Sequence, residues 1–220
     1  MTVLLFIFTI ILFLGVDIAL QKKSKTVPTP LAERRTSSDH LRAPSGIFFA
    51  PSHTWLSLFP SGSVRLGVDD IVLRMMEKPD VVFLKKSGSE AKKGEPIMQL
   101  KEGDRTLTVR SPIDGDIVEL NEEMRNHPQL MKDSLFNAGW AYTIKPRRIS
   151  ELTHMIFGEN TRVWVQQEFG RLRDFIAASS HNGSLVPVLM QDGGMHIEGA
   201  LKHLSAKQCQ EFEQEFLTVL

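Results

Sequence analysis

The feature that most constrains the fold is a series of short apolar runs between Ala50 and Arg148, separated by turn sequences. Glycine-containing turns lie at Pro60–Gly62, Ser87–Ser89, Lys93–Gly94, Glu102–Asp104 and Asp114–Gly115. Short apolar runs bounded by such turns are typical of strands, and many of them in succession indicate a sandwich or barrel. The sequence therefore predicts a mainly β domain, with strands at Val64–Leu66, Val81–Leu84, Ile97–Leu100, Leu107–Val109 and Ile117–Leu120.

Helical patterns come mainly after this block. A short helix is expected at Asp70–Glu77, with Asp70 as its cap and Pro79 as its stop. Beyond Arg148, apolar spacing predicts helices at Ser150–Phe157, Thr161–Ala178 and Ala206–Leu220, the last opened by a Ser205 and Gln208 capping box. An edge strand is expected at Leu185–Leu189, followed by a turn at Asp192–Gly194.

The N-terminal run Val3–Leu20 is apolar apart from three residues and is about long enough, as a helix, to cross a bilayer. Basic residues follow it, beginning at Lys22, Lys23 and Lys25, and none precedes it. The positive-inside rule then places the C-terminal side in the cytoplasm. We expect a single-pass anchor in the inner or plasma membrane.

The expected organisation has four parts. Residues 1–21 are the transmembrane anchor, and residues 22–48, which are rich in polar residues and proline, are a flexible linker. Residues 49–148 form the β domain, and residues 149–220 form an α-rich C-terminal extension. The 26 basic and 26 acidic residues balance, so no overall charge favours nucleic acid.

Several dispersed motifs between His53 and Ile144 appear in the order of one family. They are His53–Trp55, Val64–Asp69, Phe83–Leu84 with Gly88, Ser111–Asn121 with its Ser-Pro and Gly, Pro128, and Gly139–Trp140. Together they resemble the H protein of the glycine cleavage system over about 90 residues. The resemblance implies a lipoyl-domain-like barrel-sandwich hybrid whose hairpin presents a lipoyl-lysine at its tip.

The lysine of that family pattern is missing from its register. It lies seven residues before the serine of Ser-Pro, and counting back from Ser111 gives Asp104. A carboxylate cannot form the amide that holds lipoate, so we expect no lipoate and no other cofactor. Lys101 is the nearest amine and is the alternative lipoyl site.

Two functions follow, and neither is an enzyme. In the first, a non-lipoylated, membrane-tethered H-protein-like scaffold binds an unidentified protein at the cytoplasmic face through a hairpin at Lys101, Glu102, Gly103, Asp104 and Arg105. In the alternative, the chain is a lipoyl carrier that shuttles intermediates between enzymes through Lys101.

Other chemistry has little support in the sequence. His53 and Trp55 share one face of an alternating strand, which favours a packing role. The other histidines are scattered and no Cys-x-x-Cys accompanies them, so no metal site is expected. The loop Asp192–Glu198 has residue types found in catalytic loops but no second cluster to support it. The cluster Lys85, Lys86, Lys92 and Lys93 is interpreted as a solvated edge.

Overall fold

The computed structural model describes residues 46–180 and 198–219, and the described residues belong to one compact unit. The predicted anchor, most of the predicted linker, and the predicted strand at Leu185–Leu189 with its following turn lie outside the described residues. Within the described ranges, no helix is both long and apolar enough to cross a bilayer.

Nine strands form two antiparallel sheets in the described part of the chain. The larger sheet has the order β1-β2-β3-β9-β8-β5, and the smaller has the order β4-β6-β7. Their bounds are β1 Ile47–Phe49, β2 Thr54–Leu58, β3 Val64–Val68, β4 Asp80–Phe83, β5 Glu90–Ala91, β6 Pro96–Glu102, β7 Arg105–Arg110, β8 Gly115–Leu120 and β9 Tyr142–Pro146.

All five predicted strands are present and correspond to β3, β4, β6, β7 and β8, although Leu84 lies just beyond the end of β4. Strands β1, β2, β5 and β9 add to them, and Ile47 and Phe48 of the predicted linker lie in β1. The mainly β fold class is confirmed. The buried core between the sheets includes Leu56, Leu66, Leu100, Leu107 and Tyr142.

Five α-helices accompany the sheets in the described ranges. They are α1 Asp70–Arg74, α2 Glu122–Asn126, α3 Leu130–Asp133, α4 Glu159–Ser180 and α5 Ala206–Phe216. Short 3₁₀ helices lie at Ile149–His154 and Ala200–His203. The helix predicted at Ser150–Phe157 is thus a 3₁₀ helix, and the predicted helices of the extension at Thr161–Ala178 and Ala206–Leu220 correspond to α4 and α5.

The cap of α1 differs from the prediction. Asp69, not Asp70, is the N-cap, because its backbone is extended and its carboxylate accepts from the N–H groups of Ile71 and Val72. Asp70 lies in the first turn and pairs with Arg74 at 3.0 Å. Helix α5 has the predicted capping box, in which Ser205 and Gln208 each accept from the other's backbone N–H.

The C-terminal helices are part of the hydrophobic core. Leu172 and Ile176 of α4 and Phe212 and Phe216 of α5 are almost completely buried in the same cluster as the strands. Phe212 and Phe216 stack with ring centroids 4.9 Å apart. Burying side chains of this size contributes about 2 kcal/mol each, so the extension stabilises the β domain on which it packs.

Candidate functional site

The predicted hairpin is present between β6 and β7. Lys101 pairs with Thr106 and Glu102 with Arg105, which leaves Gly103 and Asp104 as the two turn residues. Gly103 has a φ of +60°, a conformation that a residue without a Cβ adopts at little cost. A glycine with positive φ at the first turn position is the pattern of a type II′ turn, which matches the twist of the two strands.

Asp104 lies at the very tip, where 83% of its side chain is exposed. Its Oδ2 is 3.4 Å from Nη1 of Arg105, whose own side chain is mostly buried. The position that the resemblance assigns to the lipoyl-lysine is therefore the most projecting point of the hairpin, and it holds a carboxylate.

Lys101 does not reach the turn. It lies on β6, the middle strand of the small sheet, opposite Asp80 of β4 and Thr106 of β7. It is half-buried, on the opposite face of the strand from the buried side chain of Leu100. A group attached to Lys101 would therefore project from the face of the small sheet and not from the turn at the tip of the hairpin.

The hairpin is held close to its tip by Glu102. Its Oε1 accepts from the N–H groups of Glu77 at 2.8 Å and Lys78 at 2.5 Å, in the segment after α1. A carboxylate that accepts from two N–H groups makes charge-assisted hydrogen bonds, which are stronger than neutral ones. Of the five residues predicted as a partner-binding hairpin, Gly103 and Asp104 form the exposed turn, Glu102 is held by these two hydrogen bonds, and Arg105 pairs with Glu102 across the two strands.

The outer edge of β7, which pairs with no other strand of the small sheet, is covered by α5. Strand β7 is the last strand of the small sheet, and α5 packs along it. The N–H of Thr108 donates to Oε1 of Glu213, so a helix side chain takes the place that a neighbouring strand would have. An open strand edge invites pairing with another chain, and a covered one does not.

A buried polar cluster joins the β domain to α4, and sequence reasoning missed it. The Nδ1 of His53 lies 2.7 Å from Oδ2 of Asp69, and its Nε2 lies 3.5 Å from Oε2 of Glu168 on α4. Glu168 in turn pairs with Arg171 at 2.7 Å. His53 is completely buried, with its ring stacked on Trp164 at 5.6 Å and close to Phe216.

The cluster holds His53 in its charged form. Burial by itself lowers the pKa of His53, but Asp69 and Glu168 outweigh burial and raise that pKa to about 9. Burial likewise opposes ionisation of Glu168, yet His53 and Arg171 hold the pKa of its carboxyl below the ordinary value. The imidazolium is thus a structural charge between two carboxylates, one of which also caps α1.

The prediction that His53 and Trp55 share a strand face is wrong in its geometry. His53 precedes β2 and has a φ of +58°, which breaks the alternation, while Trp55 lies within β2 and is completely buried. A packing role fits both residues. No local pattern pointed to Glu168, because a partner 115 positions away follows no local spacing.

The remaining sequence candidates are not brought together. Within residues 46–180 and 198–219, no group of three His, Cys, Asp or Glu side chains is arranged to hold a metal ion. Of the loop Asp192–Glu198 only Glu198 is described, and it pairs with Lys132 at 3.0 Å. In the lysine cluster, Lys85 pairs with Glu95, and the backbone N–H groups of Lys92 and Lys93 bond to carboxylates.

Comparison with known proteins places this architecture in context. Residues 47–168 match the family model described as "Glycine cleavage H-protein". The glycine cleavage system H protein of Hydrogenovibrio crunogenus is 27% identical over 113 residues, covering 51% of this chain and 88% of that protein. That of Coprothermobacter proteolyticus is 28% identical over 122 residues, covering 54% of this chain and 94% of that protein.

A solved structure also matches. The crystal structure of a glycine cleavage system H protein from Mycobacterium marinum aligns with a TM-score of 0.43 and 23% identity, over 50% of this chain and 96% of that chain. The matches to these three proteins cover about half of this chain in each case.

Proposed function

Because the chain belongs to the glycine cleavage H-protein family, we propose that it is a non-enzymatic protein which presents the β6–β7 hairpin to a protein partner. The observation that carries this proposal is Asp104, an exposed carboxylate at the tip of a well-formed hairpin. The hairpin keeps its geometry while its tip has no amine for lipoate. A projecting turn on a rigid sheet is a common recognition element, and here it carries a negative charge.

Family membership itself favours a second candidate, a lipoyl carrier. Relatives named as glycine cleavage system H proteins match this chain over most of their own length, and a carrier role is the function that the resemblance implies. Lys101 is the one lysine of the hairpin and would be the attachment site. The carrier reading thus follows more directly from the relatives than the scaffold reading does, while the tip residue argues for docking without lipoate.

The position of Lys101 in the sheet supports docking without lipoate over the carrier role. A carrier arm must travel between partner enzymes, which favours attachment at a projecting point. Lys101 is half-buried in the middle strand with cross-strand neighbours on both sides. A modifying enzyme would have to approach the face of the sheet at Lys101, whereas Asp104 is open on most of its surface.

The mass of the intact protein from its own host separates the two candidates. Docking without lipoate predicts the unmodified mass in a host whose other lipoyl proteins are modified. A mass increase of one lipoyl group that disappears in Lys101→Arg would establish the carrier instead. The variant Lys92→Arg, in an exposed turn outside the hairpin, is the matched control because it changes the same kind of group elsewhere.

Docking is tested by capture from host extracts with the full-length protein as bait. A partner that uses the tip binds the unaltered protein and is lost when Asp104→Arg reverses the charge of the turn. The control Asp116→Arg reverses the charge of an exposed residue of β8, outside the hairpin, and should keep the partner. Equal capture by the unaltered protein and both variants would mean that the hairpin is not the docking element.

We also propose that residues 3–20 anchor the protein in the inner or plasma membrane with the C-terminal domain in the cytoplasm. The support is the apolar run and the lysines that follow it. Fractionation of host membranes with an alkaline carbonate wash tests the anchor, and protease digestion of intact spheroplasts tests the orientation. Recovery of the protein in the soluble fraction would contradict the anchor.

A further inference from the structure

The β6–β7 hairpin is held at two separate places, one of them by the C-terminal extension directly. The first, the edge contact, is the hydrogen bond from the N–H of Thr108 in β7 to Glu213 of α5. The second, the tip contact, is the pair of hydrogen bonds that Glu102 accepts from the N–H groups of Glu77 and Lys78. The edge contact involves the extension directly, and the tip contact depends on it through the segment after α1.

That segment is fixed by the 3₁₀ helix Ala200–His203 and the residue before it. The N–H of Gly199 donates to the carbonyl of Arg74 at 2.9 Å, and the N–H of Leu201 donates to the carbonyl of Met75 at 2.8 Å. Lys202 also pairs with Glu77. The backbone approach is close, because a Cβ added to Gly199 would lie 2.6 Å from Cγ of Glu77.

Helix α5 is itself well anchored, so the edge contact has a rigid base. Phe212 and Phe216 are completely buried, and Cys209 on the same helix is almost so. Burial raises the pKa of the Cys209 thiol, and Arg105 and Asp104 are near enough to act on that pKa. The same helix packs along β7 and holds the middle of that strand through Glu213.

We infer that the C-terminal extension is a brace that holds the β6–β7 hairpin in a fixed orientation through the edge contact and the tip contact. The brace leaves the turn exposed while it occupies the edge of β7. A partner therefore meets a preorganised turn and not a swinging segment, and it cannot add a strand to β7 at Thr108. This deepens the proposed docking function, since preorganisation lowers the entropy lost on binding.

Amide hydrogen exchange on the full-length protein tests the brace without any partner, so its failure and that of the docking proposal are distinguishable. Glu213→Ala removes the acceptor of the Thr108 amide, and we expect that amide to exchange about tenfold faster or more. Glu213→Gln keeps an oxygen acceptor and should change the rate much less. Glu211→Ala, an exposed residue of α5 outside the contact, should leave the rate unchanged.

The tip contact has its own variant. Glu102→Ala should speed exchange at the amides of Glu77 and Lys78, and the core amide of Leu66 reports whether the fold is kept. The inference is overturned if the Thr108 amide exchanges equally in Glu213→Ala and Glu211→Ala. Should Glu213→Ala unfold as a whole, Lys202→Ala decides, because it removes the ion pair by which the extension holds Glu77: faster exchange at Glu77 and Lys78 supports the brace, and unchanged exchange there overturns it.

Discussion

Raising the pH should weaken the fold through the buried His53 cluster. The pKa of His53 is about 9 in the folded protein, against 6.5 for the unperturbed side chain. A raised basic pKa means that the folded state binds the proton more tightly than the unfolded chain does. The stabilisation is therefore complete below about pH 6.5 and is lost progressively as the pH rises through 9.

The magnitude follows from the same two values. Each pKa unit corresponds to about 1.4 kcal/mol, so the cluster contributes on the order of 3 kcal/mol to the free energy of unfolding at low pH. That is a large part of the 5 to 15 kcal/mol, roughly, that holds an ordinary domain together. The loss should be concentrated between about pH 6.5 and 9, with little further change from His53 above that range.

Urea unfolding followed by tryptophan fluorescence measures this effect. Trp55 is completely buried and Trp164 stacks on His53, so the signal reports on the cluster. The measurement is repeated at intervals from pH 6 to pH 9. The series stops at pH 9 because Cys209 also weakens the fold at high pH. Burial raises the pKa of its thiol, so the folded protein gives up that proton less readily than the unfolded chain does.

Two variants isolate the histidine. His53→Gln has no titrating group and should give a nearly flat profile between pH 6.5 and 9, with lower stability at pH 6 because two carboxylates lose their buried cation. Glu168→Gln keeps the shape of the contact but removes one charge, so its profile should have a smaller slope. Parallel profiles for the unaltered protein and His53→Gln would refute the reasoning, since the slope would then come from other groups.

Three further predictions concern single positions. Gly67→Ala should lower the free energy of unfolding in urea by about 1 to 3 kcal/mol, because the added Cβ would lie 2.5 Å from ring atoms of Trp55. Gly170→Ala is the control: a Cβ there has nothing within 4 Å, so the change should be neutral or stabilise α4 by up to about 1 kcal/mol. Asp104→Lys should gain a lipoyl group in a lipoylation-competent host while the unaltered protein does not, as seen by intact mass; an unmodified variant would show that the tip lacks more than its lysine. Ser205→Ala should lower the free energy of unfolding by about 1 kcal/mol through loss of the α5 cap, and no change in the urea midpoint would contradict that role.

Local patterns in the sequence predicted the parts of this protein that local forces decide. Short apolar runs between turns gave five strands, and the capping pair at Ser205 and Gln208 gave the start of α5. The family resemblance implied that Asp104 occupies the hairpin tip, and the count from Ser111 holds because a two-residue turn and paired strands leave little freedom in it.

Only the tertiary structure decided which residues meet across long separations. The sequence pattern predicted Asp70 as the cap, but the backbone before α1 makes Asp69 the cap instead, and Asp69 also pairs with His53. The pattern gave no indication that Glu168 would complete the buried cluster. Such pairs obey no spacing rule, since their partners are brought together by the packing of whole elements.

In the hairpin, too, local sequence and tertiary packing decide different features. Its sequence determines a turn that ends in an exposed carboxylate, and this follows from residues within one short segment. What holds the hairpin was decided by α5 and the 3₁₀ helix Ala200–His203, which lie about 100 residues further along the chain. Their positions depend on the burial of Phe212 and Phe216 in the shared core, a sum over many contacts that no single motif records.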